Sequence, residues 1–352
     1  MRIICLLALS LATLPAFAQS ADNAAPGLPK DPHEVFAAAA PFYDFSDPAL
    51  KPWHLKATYQ LYDEKGKPTE QGSFEYWWAS PKLYRSTWTR PGATHTDWHT
   101  ADGKGAHQDT GKPLDFFEYK LQDGLLAPLP DSKELDPANY RLDRQNLSVG
   151  KTKIPCMMAV PRMPYNEQLK FVPLGLFPTY CFDPQTPALV ASHSFGSLLT
   201  EYNHIVKVQN KYLAREITLL DGTRKILTAT VDSITGLNPS NPALIPTVEA
   251  SATSLEKVPI SAGVMQGMLI KKQTPVYPQE AKDARISGTV VLKAIIGRDG
   301  YIYDLRVISA PAPCLAISAM WAVSKWQYKP YLLVGEPVAV ETTVNVIYSL
   351  GD

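Results

Sequence analysis

The run Gly288-Thr289-Val290-Val291-Leu292-Lys293-Ala294-Ile295-Ile296-Gly297-Arg298-Asp299-Gly300-Tyr301-Ile302-Tyr303-Asp304-Leu305-Arg306-Val307 decides the fold of the C-terminal part of the chain. Val290, Leu292, Ala294 and Ile296 alternate with a period of two, the pattern of a strand with one buried face. Asp299-Gly300 breaks the run, and the alternation resumes at Tyr303, Leu305 and Val307, so the spacing predicts two strands paired through a tight turn. Downstream, Leu315, Ala319, Ala322, Val323 and Trp326 recur at helical spacing and stop before Pro330. Val338, Val340, Thr342, Val344, Val346 and Tyr348 then alternate to the end. The predicted order is strand, strand, helix, strand.

Upstream of this unit lies Pro275-Val276-Tyr277-Pro278-Gln279-Glu280-Ala281, followed by Gly288-Thr289-Val290 and the Asp299-Gly300 turn. Further on come Val307-Ile308-Ser309, the helical Ala322-Val323 leading to Trp326, then Tyr328-Lys329-Pro330-Tyr331 and Gly335-Glu336-Pro337-Val338. In order and spacing these motifs resemble the TonB C-terminal domain family. The resemblance spans roughly a quarter of the chain and implies a small α+β domain, residues 258–352. Its relatives reach across the periplasm and act on outer-membrane transporters with energy from inner-membrane motor proteins. An outer-membrane transporter is therefore the expected partner. An exposed edge strand can accept an extended partner segment by β-augmentation. That argument points to Tyr277 and Pro278 and to Val338, Val340, Thr342, Val344 and Val346 as the contact regions. Energy transducers of this type keep an uncleaved membrane helix and a long Glu-Pro/Lys-Pro-rich linker. This sequence reads differently in both respects, so binding through the domain is the expectation, and inner-membrane motor proteins are left open as partners.

At the other end, Met1-Arg2, an apolar run from Ile3 to Leu14, and Ala16-Phe17-Ala18 before Gln19 have the layout of an export signal over residues 1–18. The apolar run is about 12 residues, short of the roughly 20 a spanning helix needs, although a retained inner-membrane anchor is the alternative. Residues 19–32 are small, polar and Pro-punctuated, as in a flexible leader. The remainder suffices for two domains at ~150 residues each, and the periplasm is the expected compartment.

The first domain, residues 33–236, reads as mostly antiparallel β. Val35 to Ala40 suits a short helix; Leu55, Ala57, Tyr59 and Leu61 share one strand face before an Asp63-Glu64-Lys65-Gly66 turn. Phe74, Tyr76 and Trp78, then Tyr84 and Trp88, line neighbouring strands, and Tyr212 to Ile234 forms a later hairpin. Through these features the domain is loosely similar to periplasmic lipoprotein-carrier half-barrels. That similarity implies a second role, a carrier of lipid or lipoprotein, with Phe74, Tyr76, Trp78, Tyr84 and Trp88 against an apolar ligand. Ordinary packing of a sheet core is the competing reading of the same five residues. Residues 237–257 lose any period and gain Pro, Ser and Thr, which marks a linker.

Lys+Arg and Asp+Glu are both 34, so there is no basic footprint for nucleic acid. Cys156 and Cys181 are the natural disulfide pair of an exported chain, with roughly 3.5 kcal/mol expected from closing their loop. Cys314 is left as a small residue at a helix start. His95, Asp97, His99 and His107 form a histidine cluster in which the first three share a strand face, yet the spacing is not that of a metal site. His193, Ser194 and Ser197 flank Gly196 without a nucleophile elbow. Neither a cofactor nor an enzymatic activity is expected.

Overall fold

The computed structural model describes residues 27–131, 135–162, 166, 172–195, 198–254 and 257–350. The expected export signal and most of the expected leader lie outside the described residues. Asp31 caps helix α1 (Pro32–Tyr43) by accepting from His33 N and Glu34 N, so the helix predicted near Val35 to Ala40 begins a few residues earlier.

Five strands then meander outward, each antiparallel to the last: β1 (Trp53–Tyr62), β2 (Pro68–Ser80), β3 (Leu83–Arg90), β4 (Ala93–His99) and β5 (Gly105–Thr110). Helix α2 (Phe116–Leu126) carries the chain across to the opposite edge. There a second meander starts: β6 (Tyr140–Val149), β7 (Thr152–Pro161), β8 (Thr179–Phe182), β9 (Leu189–Phe195), β10 (Leu198–Val208), β11 (Lys211–Asp221) and β12 (Arg224–Gly236). It ends by pairing β12 with β1, which joins the two meanders into one antiparallel sheet. The sheet is open, because its two edge strands do not pair with each other. Alternation fixes which side is inside: Trp53, Leu55, Ala57, Tyr59 and Leu61 are all buried on one face of β1. Across the register, Phe74, Tyr76, Trp78 and Trp88 continue the same face.

The segment expected as a linker is tied to the first domain. Leu237 N bonds to the Pro52 carbonyl, and a single 3₁₀ turn at Pro242–Leu244 lays Leu244, 2% exposed, against the sheet. The Trp98 indole and the Arg85 guanidinium both donate to the Ala243 carbonyl. The segment finishes as β13 (Ser251–Thr253), antiparallel to β5, and becomes the thirteenth strand of the sheet. Cys156 and Cys181 face each other across β7 and β8 and are disulfide-bonded, both fully buried.

The C-terminal domain holds β14 (Val258–Pro259), α3 (Ala262–Gly267), β15 (Leu269–Lys271), α4 (Gln279–Asp283), β16 (Gly288–Ile296), β17 (Ile302–Ser309), α5 (Pro313–Val323), β18 (Gln327–Tyr328), β19 (Tyr331–Leu333), β20 (Glu336–Val338) and β21 (Val340–Tyr348). Its main sheet has the order β14-β21-β16-β17, with α5 packed on β16 and β17. Leu315, Ala316, Ala319, Met320 and Val323 are the buried stripe of α5, as the helical spacing predicts. The Asp299-Gly300 turn depends on glycine: Gly300 has φ +82°, and a Cβ there would stand 2.0 Å from the Tyr328 carbonyl oxygen.

Two expectations need correction. Val338 belongs to the β19–β20 hairpin, because the chain leaves the strand at Ala339 before β21 begins. The period predicts Tyr303 on the same face as Leu305 and Val307, but a register irregularity pairs Ile295 with Asp304 and Ile296 with Ile302. This bulge turns Tyr303 outward against the first domain.

Candidate functional site

β21 is paired along its whole length with β16, from Val340 opposite Ile296 to Tyr348 opposite Gly288. On its other side β14 covers it at Val340 and Glu341, in parallel. Beyond Glu341, no strand among the described residues pairs with that edge. The direction of the free groups follows from two bonds, Val258 N to the Ala339 carbonyl and Ile260 N to the Glu341 carbonyl, each 2.9 Å. Main-chain groups alternate sides along a strand, so Thr343, Asn345 and Ile347 point theirs at the open edge. Their side chains are exposed as well, Ile347 at 75%.

Val340, Thr342, Val344 and Val346, the β21 positions picked from the sequence, have the opposite parity. Their side chains are buried in the core, and alternation directs their main-chain groups to β16. The sequence signal for Thr343, Asn345 and Ile347 was present in the same alternation, as its polar and solvent-facing half.

Tyr277 meets this strand at its far end. Its ring packs edge-on against Tyr348 at 5.2 Å, and its hydroxyl donates to the Ile286 carbonyl at 2.6 Å. Pro278 is the N-cap of α4. The extended residues before it are held by side chains: Trp326 donates its indole N–H to the Gln273 carbonyl, and the Ser318 hydroxyl donates to the Val276 carbonyl. The structure thus brings the Tyr277-Pro278 segment and the end of β21 together, while Val338 lies on a separate hairpin.

Residues 273–350 match the family of the Gram-negative bacterial TonB protein C-terminal. The match takes in the Tyr277-Pro278 segment, both strands of the Asp-Gly hairpin, α5 and all of β21. No curated protein matches the chain. Among solved structures, a DUF1329 family protein from Desulfovibrio piger is similar at 10% identity and a TM-score of 0.37, over 60% of this chain and 98% of the other. A domain named for outer membrane lipoprotein sorting, from Vibrio parahaemolyticus, is similar at 9% identity and a TM-score of 0.35, over 63% and 97%. A LolA superfamily protein from Nitrosomonas europaea is similar at 8% identity and a TM-score of 0.27, over 60% and 96%. At these scores the likenesses are loose and assign no ligand.

The five aromatic residues of the first domain are filled in. Phe74 packs on Trp88 at 4.4 Å, Trp88 on Tyr59 at 5.3 Å, Trp53 on Tyr76 and Trp78 at 5.3 and 6.1 Å, and Tyr76 on Tyr84 at 5.7 Å. α2 lies over part of this face. Its N-terminus is a capping box, in which Asp115 accepts from Phe117 N and Glu118 N while Glu118 accepts from Asp115 N. Glu118 has no exposed surface and also takes the Tyr59 hydroxyl at 2.6 Å, with the Arg90 guanidinium 3.5 Å away. Burial, and next the charge of Asp115, push its carboxyl above the usual range.

Two aspartates at the histidine cluster, Asp97 and Asp109, receive the C-terminal domain. Arg298, from the Asp-Gly hairpin, pairs with Asp97 at 2.8 Å and with Asp109 at 3.1 Å. His95 lies 3.1 Å from Asp109 and 2.8 Å from the Lys112 carbonyl, and His107 lies 3.9 Å from Asp109. His99 instead stacks on Tyr84 at 4.1 Å. Burial opposes protonation of His95, yet the hydrogen bond to Asp109 and the one to the Lys112 carbonyl raise its pKa. Burial also raises Asp97, against the pull of Arg298. Among the described residues there is no group of three or more His, Cys, Asp or Glu side chains placed to hold a metal ion. Arg298 and Asp109 escaped sequence reading because a single arginine in a turn has no period to betray its partner.

Proposed function

We propose that this chain is an envelope protein of the periplasm whose TonB C-terminal domain receives an extended segment of an outer-membrane transporter on the open edge of β21. The observation that carries this reading is the unpaired edge from Thr343 to Ile347, inside the part of the chain that matches the TonB protein C-terminal family. A partner strand there would gain main-chain hydrogen bonds from Thr343, Asn345 and Ile347, and Ile347 offers an apolar contact to a partner side chain on its face. Tyr277 packs on Tyr348 at the end of the same strand, and Pro278 follows it. The role is binding in support of transport and not catalysis. Among the described residues no helix is long and apolar enough to cross a membrane.

Titration calorimetry of the full chain against peptides from the N-terminal segments of outer-membrane transporters tests this reading. Saturable binding that shifts the β21 amide resonances is expected. A broad panel that produces neither heat nor shifts would remove it.

A further inference from the structure

Helix α2 is held from two sides by two different domains. Toward the large sheet, Glu118 accepts from Tyr59, Gln122 accepts from the Trp88 indole at 3.3 Å, and Leu121 and Leu125 are buried. Toward the TonB C-terminal domain, Tyr119 stacks on Tyr303 at 3.8 Å, Lys120 pairs with Asp304 at 2.5 Å, and Phe117 lies 5.9 Å from Trp321. The helix is weak in its own right. It has 11 residues, carries Gly124 inside, and lacks a basic residue in its last turn. Isolated helices below ~12–15 residues are marginal in water, and an interior glycine weakens them further. Contacts on both sides are therefore what keep α2 folded, and losing one side weakens its hold on the other.

What α2 covers is also particular. Tyr59 and Trp88 lie directly under Glu118 and Gln122, and Phe74 packs behind Trp88. We propose that α2 is a plug governed by the C-terminal domain: docking through Arg298, Tyr303 and Asp304 holds it on the aromatic face, and undocking releases it and bares that face. The geometry makes a contact or pull on the C-terminal domain readable at the aromatic surface of the first domain. This holds whether or not β21 takes a partner strand.

The test uses the full chain with Arg298→Glu and Asp304→Lys together, which reverse two docking charges while every residue of α2 and of the sheet beneath it stays unchanged. In amide hydrogen exchange, Phe117 to Leu126 are expected to lose protection at least tenfold while β1, β11 and β16 keep theirs. Fluorescence of the apolar probe N-phenyl-1-naphthylamine is expected to rise at the same time. Gly124→Ala should act oppositely and raise α2 protection, because its methyl would sit 3.5 Å from Ile217 and 3.6 Å from Tyr202, in ordinary contact. Wild-type protection of α2 in the doubly reversed chain would overturn the proposal. So would loss of α2 protection in step with β1 and β16, or release of α2 with no rise in probe fluorescence.

Discussion

Asn345→Pro is the sharpest probe of the β21 edge, because the structure predicts opposite results for it and for its neighbour. Asn345 has the parity of Ala339 and Glu341, whose carbonyls accept from the Val258 and Ile260 amides respectively on the β14 side, so its N–H faces the open edge. Proline on an edge strand with its nitrogen toward solvent removes no ladder bond, and the fold should survive with a melting temperature within a few degrees of wild type. A docked partner strand would lose that donor, and the ring would keep the adjacent bond from closing. Two bonds at ~1 kcal/mol each is about 2 kcal/mol, or roughly a 30-fold weaker Kd. Val344→Pro is the control. It deletes a bond to β16 opposite Leu292 and leaves a buried carbonyl without its donor, costing about 3 kcal/mol of stability. Calorimetry with a transporter peptide and thermal melts followed by circular dichroism read the two quantities separately. If Asn345→Pro bound the peptide as tightly as wild type, strand pairing at this edge would be refuted even with binding itself intact.

Three further outcomes are expected. Replacing both Cys156 and Cys181 by Ala should lower stability by roughly 3.5 kcal/mol, seen as a lower denaturant midpoint, because their 25-residue separation closes a long loop of the unfolded chain. Trp88→Ala should destabilise the chain by about 3–5 kcal/mol, since Trp88 is a buried core residue at 2% exposure; a stable variant that merely stops co-purifying with an acyl chain would instead favour the carrier role. His95 has a raised pKa in the fold, so its share of stability is fully present below its unfolded value near ~6.5 and is lost as pH rises through the folded value. The stability gap between wild type and His95→Gln should therefore narrow from pH 6 to pH 8 in denaturant titrations, and a constant gap would count against the His95–Asp109 linkage.

The legible parts of the fold were those governed by a period. Val290, Leu292, Ala294 and Ile296, the α5 stripe and β21 all declared themselves through alternation or helical spacing, and each holds its assigned core position. The first domain's antiparallel meander and its disulfide were legible for the same reason, since turns and cysteines are local signals. Three features were not. Val338 fell outside β21 because a hairpin intervenes without breaking the apolar alternation. Tyr303 changed face through a bulge, which shifts parity by one residue without a mark in the sequence. The docking of Arg298 on Asp97 and Asp109 joins residues 189 or more positions apart, and no local pattern reaches that far. The candidate edge itself was found correctly as a strand, but which half of its alternation faces outward needed the β14 hydrogen bonds.

The fastening of residues 237–254 to the first sheet gives the C-terminal domain a leash of two lengths. With β13 in place, Thr253 and Val258 are five positions apart, a tether that can span at most about 17 Å. If β13 and the turn at Pro242–Leu244 peel away, slack runs from Gly236, and about 22 residues can stretch to roughly 75 Å. Once the Arg298, Tyr303 and Asp304 contacts are broken, the three residue pairs of β13 and a few contacts at Ala243 and Leu244 separate a domain kept close to the first from one that can travel far from it.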